Sequence, residues 1–116
     1  MKALIIDDEK DICFLLSSIL KQNSFETNYV NNLTDAYGAL EASSPCIIFL
    51  DNHLPDGLGV DFISHIKKTH PEAKIVMITA HDTSNDKIKA LQNGANVFIG
   101  KPFTRDIIVA AIKAVS

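Results

Sequence analysis

The sequence contains no tryptophan, and none of its apolar runs approaches the ~18 residues that a membrane-spanning helix needs. Basic residues never form a run longer than the lysine pair at 67–68, so direct nucleic-acid binding has little support. The first two residues lead straight into a strand-like run without a small-residue cleavage site, and we expect no signal peptide. These absences favour a cytoplasmic protein that binds neither membranes nor nucleic acids.

Cysteine is also scarce. The two cysteines, Cys13 and Cys46, lie within apolar runs and lack the spacing of metal ligands. We expect both to be buried free thiols, as is typical of proteins from a reducing compartment.

The remaining composition is that of one globular domain spanning residues 1–116. Hydrophobic residues make up 47% of the chain and charged residues 22%, a balance that excludes an intrinsically disordered protein. At this length the domain buries a sizeable core without disulfides.

Strand-like and helix-like patterns alternate along the chain. Apolar runs predict strands at 3–6, 46–50, 74–79 and 97–99, and a segment of mixed polarity at 25–30 predicts a strand at the edge of a sheet. Apolar residues at helical spacing predict helices in between and after them, with these residues on the apolar faces: Ile12, Leu16, Ile19 and Leu20; Leu33, Ala36, Tyr37 and Leu40; Phe62, Ile63 and Ile66; Ile88 and Leu91; Ile108, Ala111, Ile112 and Val115. Asn32 and Thr104 are candidate N-caps and Gly94 a candidate C-cap. Five such units predict a doubly wound α/β domain, with a five-stranded parallel sheet and five helices on both faces.

Polar side chains appear where these strands end. Asp7 and Asp8 follow the first strand, Asp51 ends the third, Thr79 ends the fourth and Lys101 follows the fifth. The carboxyl ends of parallel strands meet at one edge, where ligands bind in open α/β sheets. We therefore expect these five residues to form one site.

The residue types at this edge are suited to phosphoryl transfer. Three neighbouring carboxylates need a cation or a raised pKa, and Mg²⁺ prefers hard oxygen ligands that it shares with phosphate. Lys101 is placed to pair with Asp51 at rest and with a phosphoryl oxygen later, and Thr79 offers a hydroxyl donor to the same oxygen. The pattern predicts formation of an acyl phosphate on Asp51.

The sequence resembles the receiver domain of bacterial two-component response regulators over essentially its whole length. The resemblance rests on motifs that occur in order on the strand–helix alternation. They are Asp7-Asp8; Asp51 with Pro55 and Gly59 four and eight positions on; Thr79-Ala80; Phe98; and Lys101-Pro102.

The resemblance implies a flavodoxin-like strand order of 2-1-3-4-5 and phosphorylation of Asp51 by a histidine kinase or phosphotransfer protein. It also implies Mg²⁺ or Mn²⁺ held by Asp8, Asp51 and the backbone carbonyl of His53, with Asp7 acting through water. Lys101–Pro102 resembles the family's cis peptide.

By the same resemblance, Thr79 and Phe98 are the switch pair that alters the surface of the fourth helix, fifth strand and fifth helix. That surface would control a partner, a homodimer or an output domain beyond Ser116. The resemblance implies a phosphoacceptor that assists its own phosphorylation and dephosphorylation, not a turnover enzyme.

Two histidines depart from the familiar pattern. His53 lies two residues after Asp51 and His81 two residues after Thr79, positions that in this family flank the phosphoryl group. One interpretation is a pair of solvated loop imidazoles. The other is that they change the lifetime of the phosphoryl group in a pH-dependent way at about pH 6–7. A Zn²⁺ site made by both histidines and Asp51 is a third alternative.

Two other classes of protein have a similar fold or similar catalytic groups. A haloacid-dehalogenase-type phosphatase also has an Asp at a strand end and Mg²⁺, but it needs a second Asp two residues later, where this chain has His53. A flavodoxin-like FMN-binding module needs a Ser/Thr/Gly-rich phosphate loop after the first strand. Here the acids at 7–9 would repel the phosphate.

Overall fold

A computed structural model describes residues 1–80 and 84–115 of the chain. Its elements are β1 (Lys2–Ile6), α1 (Lys10–Gln22), β2 (Glu26–Val30), α2 (Leu33–Ser43), β3 (Ile47–Asp51), β4 (His53–Leu54), β5 (Gly57–Leu58), α3 (Gly59–Thr69), β6 (Lys74–Thr79), α4 (Ser84–Asn93), β7 (Val97–Gly100) and α5 (Arg105–Val115).

Five parallel strands form one sheet in the order β2-β1-β3-β6-β7. This is the predicted order 2-1-3-4-5, since β4 and β5 form a separate hairpin. Ile6 pairs with Leu50, and Asp51 pairs with Ile78. The carboxyl ends of the three central strands therefore reach the same edge, as the alternation of strands and helices predicts.

Both faces of the sheet are buried, which is why the central strands are apolar at consecutive positions. Ile48 and Leu50 of β3 belong to a core under α2, α3 and α4, whereas Ile47 and Phe49 belong to a second core under α1 and α5. All five residues of β3 are buried, Asp51 included. The strand thus carries its terminal carboxylate to the rim on a rigid support.

The predicted caps agree with the structure. The side chain of Asn32 accepts a hydrogen bond from the backbone N–H of Asp35, and Thr104 Oγ1 accepts one from Ile107 N at 3.3 Å. Gly94 follows α4 with a φ of 116°, a left-handed conformation that favours glycine. The Lys101–Pro102 peptide bond is cis, as the resemblance implies.

Four side chains that the sequence predicts to be buried are exposed. Ile88 and Leu91 are 53% and 42% exposed, because α4 contacts the core through the small side chain of Ala90. Tyr37 is 48% exposed, since its ring lies across the rings of Phe62 and His65 at the surface. Cys46 is exposed because it precedes β3 at the edge of the core, although its backbone bonds to Lys2 and Lys74 and its Sγ lies 3.3 Å from the Lys2 carbonyl oxygen. Cys13 is buried as predicted.

The β4–β5 hairpin was expected only as a loop. His53 pairs with Leu58 and Leu54 with Gly57, so the segment after Asp51 folds back on itself over four paired residues. Gly57 has a φ of 155°. The hairpin leads directly into α3. Its position therefore affects the positions of Asp51 before it and Gly59 after it.

Within residues 1–80 and 84–115, no helix is both long and apolar enough to cross a membrane.

Candidate functional site

A polar cleft lies at the carboxyl edge of the sheet. Its volume is about 170 Å³, and its lining residues are Asp8, Glu9, Asp51, His53, Thr79, Ala80 and Lys101. They come from the ends of β1, β3, β6 and β7, four non-adjacent parts of the sequence. The predicted residues of the site are thus brought together, with Asp7 lying beneath the cleft at 0% exposure.

Asp51 is 4% exposed at the end of β3. Burial raises the pKa of its carboxyl to about 7, helped by the neighbouring Asp7 and opposed by Lys101 and the backbone N–H of His53. Its Oδ2 lies 3.6 Å from Lys101 Nζ. Because burial disfavours the negative charge of this carboxylate, binding of a cation or formation of a covalent bond would stabilise it.

The closest partner of Lys101 is Asp7 and not Asp51. Lys101 Nζ lies 2.9 Å from Asp7 Oδ2, and a more distant contact of 3.7 Å reaches Glu9. Burial alone would lower the pKa of Lys101. Its close pairing with the charged Asp7, together with the negative charges of Asp51 and Glu9, outweighs burial and raises the pKa. The ammonium thus stays charged, and the expected pair with Asp51, at 3.6 Å, is longer than the pair with Asp7 because Asp7 lies deeper beside the lysine.

Asp7 is placed to support a cation. Its Oδ1 accepts a hydrogen bond from Glu9 N at 2.8 Å, whereas the buried Oδ2 pairs with Lys101 and has no well-directed hydrogen bond to any of the described residues. Burial raises the pKa of the Asp7 carboxyl, and the Glu9 N–H and Lys101 oppose this. An oxygen in this state is a suitable outer partner for a hydrated metal ion.

Three aspartates make up the group that could hold a metal. One carboxylate oxygen each from Asp7, Asp8 and Asp51 lies within 4.8 Å of the others, and Asp8 is exposed to solvent. Among residues 1–80 and 84–115 this is the one group of three or more His, Cys, Asp or Glu side chains with such spacing. An all-oxygen set is typical of Mg²⁺ or Mn²⁺ and not of Zn²⁺.

Of the two predicted switch residues, Thr79 lines the cleft and Phe98 packs against the core. Thr79 is fully buried at the end of β6, and its Oγ1 is 3.5 Å from Nδ1 of the exposed His53. Phe98 is partly buried and packs against the core on the α3–α4 side. His81 lies outside the described residues, so its role and the Zn²⁺ alternative that needs it stay predictions.

Two asparagines of the site were not singled out from the sequence. Asn31 Nδ2 donates to the backbone carbonyl of Asp7 at 2.8 Å and fixes the chain there. Asn52 is 4% exposed and accepts from Val60 N through its Oδ1 at 3.0 Å and from Gly59 N through its backbone carbonyl at 2.8 Å. Adjacency to Asp51 was a signal for Asn52, whereas Asn31 is 24 residues from Asp7 and carries no local signal.

Comparison with known proteins agrees with this geometry. The model of the response regulator receiver domain family matches residues 3–113. The chain is 34% identical over 116 residues to the phosphate regulon transcriptional regulatory protein PhoB of Escherichia coli (strain K12), covering 98% of this chain and 51% of PhoB. The chain thus spans about half the length of that curated relative.

Solved structures give the same result. A two-component response regulator from Clostridium difficile superposes with a TM-score of 0.94 at 29% identity, covering 99% of this chain and 94% of that one. The beryllofluoride-activated NtrC4 receiver domain dimer superposes with a TM-score of 0.93 at 32% identity, covering 98% and 94%.

Proposed function

The chain belongs to the response regulator receiver domain family, and on this basis we propose that it is a switch activated by phosphorylation of Asp51. The observation that carries the proposal is the convergence of Asp51, Lys101 and Thr79 on one cleft at the edge of the sheet. A carboxylate nucleophile, an ammonium and a hydroxyl donor are the groups that transfer of a phosphoryl group to a carboxylate needs.

We propose Mg²⁺, or Mn²⁺ in its place, as the cofactor. The cluster of Asp7, Asp8 and Asp51 and the incompletely satisfied Oδ2 of Asp7 fit a hard, hydrated cation. Asp8, Asp51 and the backbone carbonyl of His53 would hold it directly, and Asp7 through water. When bound, the ion supplies positive charge that offsets the crowded carboxylates and the incoming phosphoryl oxygens.

The chain's own groups account for the remaining steps. A carboxylate oxygen of Asp51 attacks phosphorus, and the bond to the donor atom breaks with its electron pair leaving on the donor. Lys101, 3.6 Å from Asp51 Oδ2, moves its charge toward a phosphoryl oxygen. Hydrolysis reverses the modification when water attacks phosphorus and Asp51 leaves as a carboxylate. In this sense the domain assists its own phosphorylation and dephosphorylation.

The output is a change in the surface formed by α4, β7 and α5. Thr79 would donate its hydroxyl to the phosphoryl group, and Phe98 would turn further into the core beside α4. Exposed apolar side chains already lie on the two helices of this surface: Ile88, Leu91 and Ile107. We propose that this surface binds a second copy of the chain, a partner protein or an output domain beyond Ser116.

The proposed phosphodonor is a sensor histidine kinase or a phosphotransfer protein, and the proposed location is the cytoplasm. Both follow from membership of the family.

A labelling experiment tests the function. With acetyl phosphate as the donor, we expect the protein to incorporate phosphate in MgCl₂ and not in EDTA. Asp51→Asn should abolish incorporation, whereas Asp61→Asn, an exposed acid on α3, is the matched control and should label normally. Undiminished labelling of Asp51→Asn would refute the assignment.

His53 gives a second prediction about the same site. Its imidazole lines the cleft and lies 3.5 Å from the Thr79 hydroxyl, so it borders the space that the phosphoryl group must enter. We expect His53→Ala to change the first-order rate of phosphoryl loss by about threefold or more, because water would reach phosphorus by a different route. The rate is measured by acid-precipitated radiolabel. An unchanged rate would leave the imidazole as a solvated loop group. We propose the same role for His81.

A further inference from the structure

Asp56 makes a contact that its sequence position does not suggest. It lies in the turn between β4 and β5, and both of its carboxylate oxygens accept hydrogen bonds from the start of α2. Oδ1 accepts from Leu33 N at 2.8 Å, and Oδ2 accepts from Thr34 N at 2.9 Å and from Thr34 Oγ1 at 2.7 Å. These partners are 22 or 23 residues away in the chain.

The contact completes the cap of α2. The first backbone N–H groups of a helix lack partners within the helix. In α2, Asn32 takes the N–H of Asp35 through its own side chain, while Asp56 takes those of Leu33 and Thr34. These bonds, the Leu33 N–H first, lower the pKa of the exposed Asp56 carboxyl to about 2. Asp56 is therefore a fixed anion at this helix end.

The same contact anchors the outer end of the hairpin. The inner end is held by Asn52, which accepts the N–H groups of Gly59 and Val60. The segment between these anchors contains His53, and Asp51 directly precedes the anchor Asn52. Gly57 sits so close to α2 that an added Cβ would lie 3.0 Å from Leu33 Cδ1. Two anchors, one at each end, leave the backbone at His53 little freedom.

We propose that Asp56 is a positioning residue for the phosphorylation site. By binding the start of α2 it holds the hairpin tip, and so it sets the direction of the His53 carbonyl and of the Asp51 carboxylate toward the cation. The inference rests on the proposed function, because it concerns the same site. Coupling of this kind is reciprocal: if Asp56 favours cation binding, cation binding strengthens the contact of Asp56 with α2.

The test compares Asp56→Ala with Asn32→Ala. Both variants lose capping bonds at the same helix end, so both should lower thermal stability, Asp56→Ala by more because Asp56 accepts three hydrogen bonds there and the side chain of Asn32 caps one backbone N–H. Only Asp56→Ala also releases the hairpin. Titration with MgCl₂, followed by NMR shifts of the backbone amides around residue 51, should give a Kd raised by about fivefold or more in Asp56→Ala and by less than about twofold in Asn32→Ala. Asp56→Asn keeps one acceptor oxygen and should fall between them.

Amide hydrogen exchange supplies a second readout that a stability defect does not produce. MgCl₂ should slow exchange at Leu33 and Thr34 in the wild type and in Asn32→Ala, and have no effect there in Asp56→Ala. An unchanged Mg²⁺ Kd in Asp56→Ala overturns the inference, and so does an equal rise of the Kd in Asn32→Ala. In either case, normal phosphate labelling of the wild type leaves the proposed function intact. Failure of the wild type to bind Mg²⁺ overturns both.

Discussion

Asp51→Asn should make the metal-free protein more stable than the wild type at neutral and higher pH, by about 2 kcal/mol. Asp51 is 4% exposed, and burial raises its pKa from 3.8 to about 7. A shift of about three pH units corresponds to about 4 kcal/mol, and water entry around an ionised carboxylate reduces the measured effect. Asparagine keeps the shape of the side chain and carries no charge to bury.

The sign of the pH dependence follows from the raised pKa. The folded state binds the Asp51 proton more tightly than the unfolded state, so this group's contribution to stability is fully present below pH 3.8 and is lost as pH rises through about 7. The asparagine variant has no such loss. The difference between the two proteins should therefore be near zero at low pH, grow across this interval and level off above it.

Urea unfolding in EDTA, followed by circular dichroism over this pH interval, measures the difference. MgCl₂ should remove the advantage of the variant, because the cation stabilises only the intact set of carboxylates. Asp61→Asn is the control, since this exposed acid pairs with Lys89 at the surface, 3.8 Å away, and such pairs contribute little to stability. A variant no more stable than the wild type at the upper end of the interval would mean that Asp51 is not strained in the metal-free state.

Gly59→Ala should destabilise the protein by about 3 kcal/mol, because there is no space for a methyl group. A Cβ at this position would lie 2.1 Å from the backbone oxygen of Asp51 and 3.0 Å from Leu50 Cγ. Relief requires the backbone at Asp51 to move, since a carbonyl oxygen cannot rotate away as a flexible side chain does. Phosphate incorporation should fall together with stability.

Gly38→Ala provides the matched control. Gly38 lies within α2, and an added Cβ there meets nothing within 4 Å. Alanine is the better helix former, so this variant should gain about 0.5–1 kcal/mol. Denaturant midpoints of the two variants thus move in opposite directions. Equal shifts of the same sign would show that the close approach of Gly59 to Asp51 is not what destabilises the protein.

The parts of the fold that were predictable are those with a strong local pattern. The strand at 74–79 was predicted with the bounds it has in β6, because its apolar run is continuous and ends at a polar residue. The burial of Asp51 at a strand end followed in the same way. The site followed from topology, since parallel strands place their ends together.

Other features depend on packing that no local pattern records. The exposure of Ile88 and Leu91 depends on which face of α4 the core can approach, and Ala90 allows the closer contact. Lys101 prefers Asp7 because of depth within the site, which sequence spacing does not contain. The contact of Asp56 with α2 joins residues 22 or 23 positions apart, a distance over which the sequence shows no local pattern.

The central claim is that Asp51 receives the phosphoryl group, and the most direct measurement is the position of the modification itself. The wild-type protein is treated with acetyl phosphate and MgCl₂, reduced with borohydride to convert an acyl phosphate to an alcohol, digested, and sequenced by fragment mass spectrometry. We expect homoserine at position 51, and only when acetyl phosphate and MgCl₂ were both present. Homoserine at Asp7, Asp8 or Asp56 with none at position 51 would contradict it.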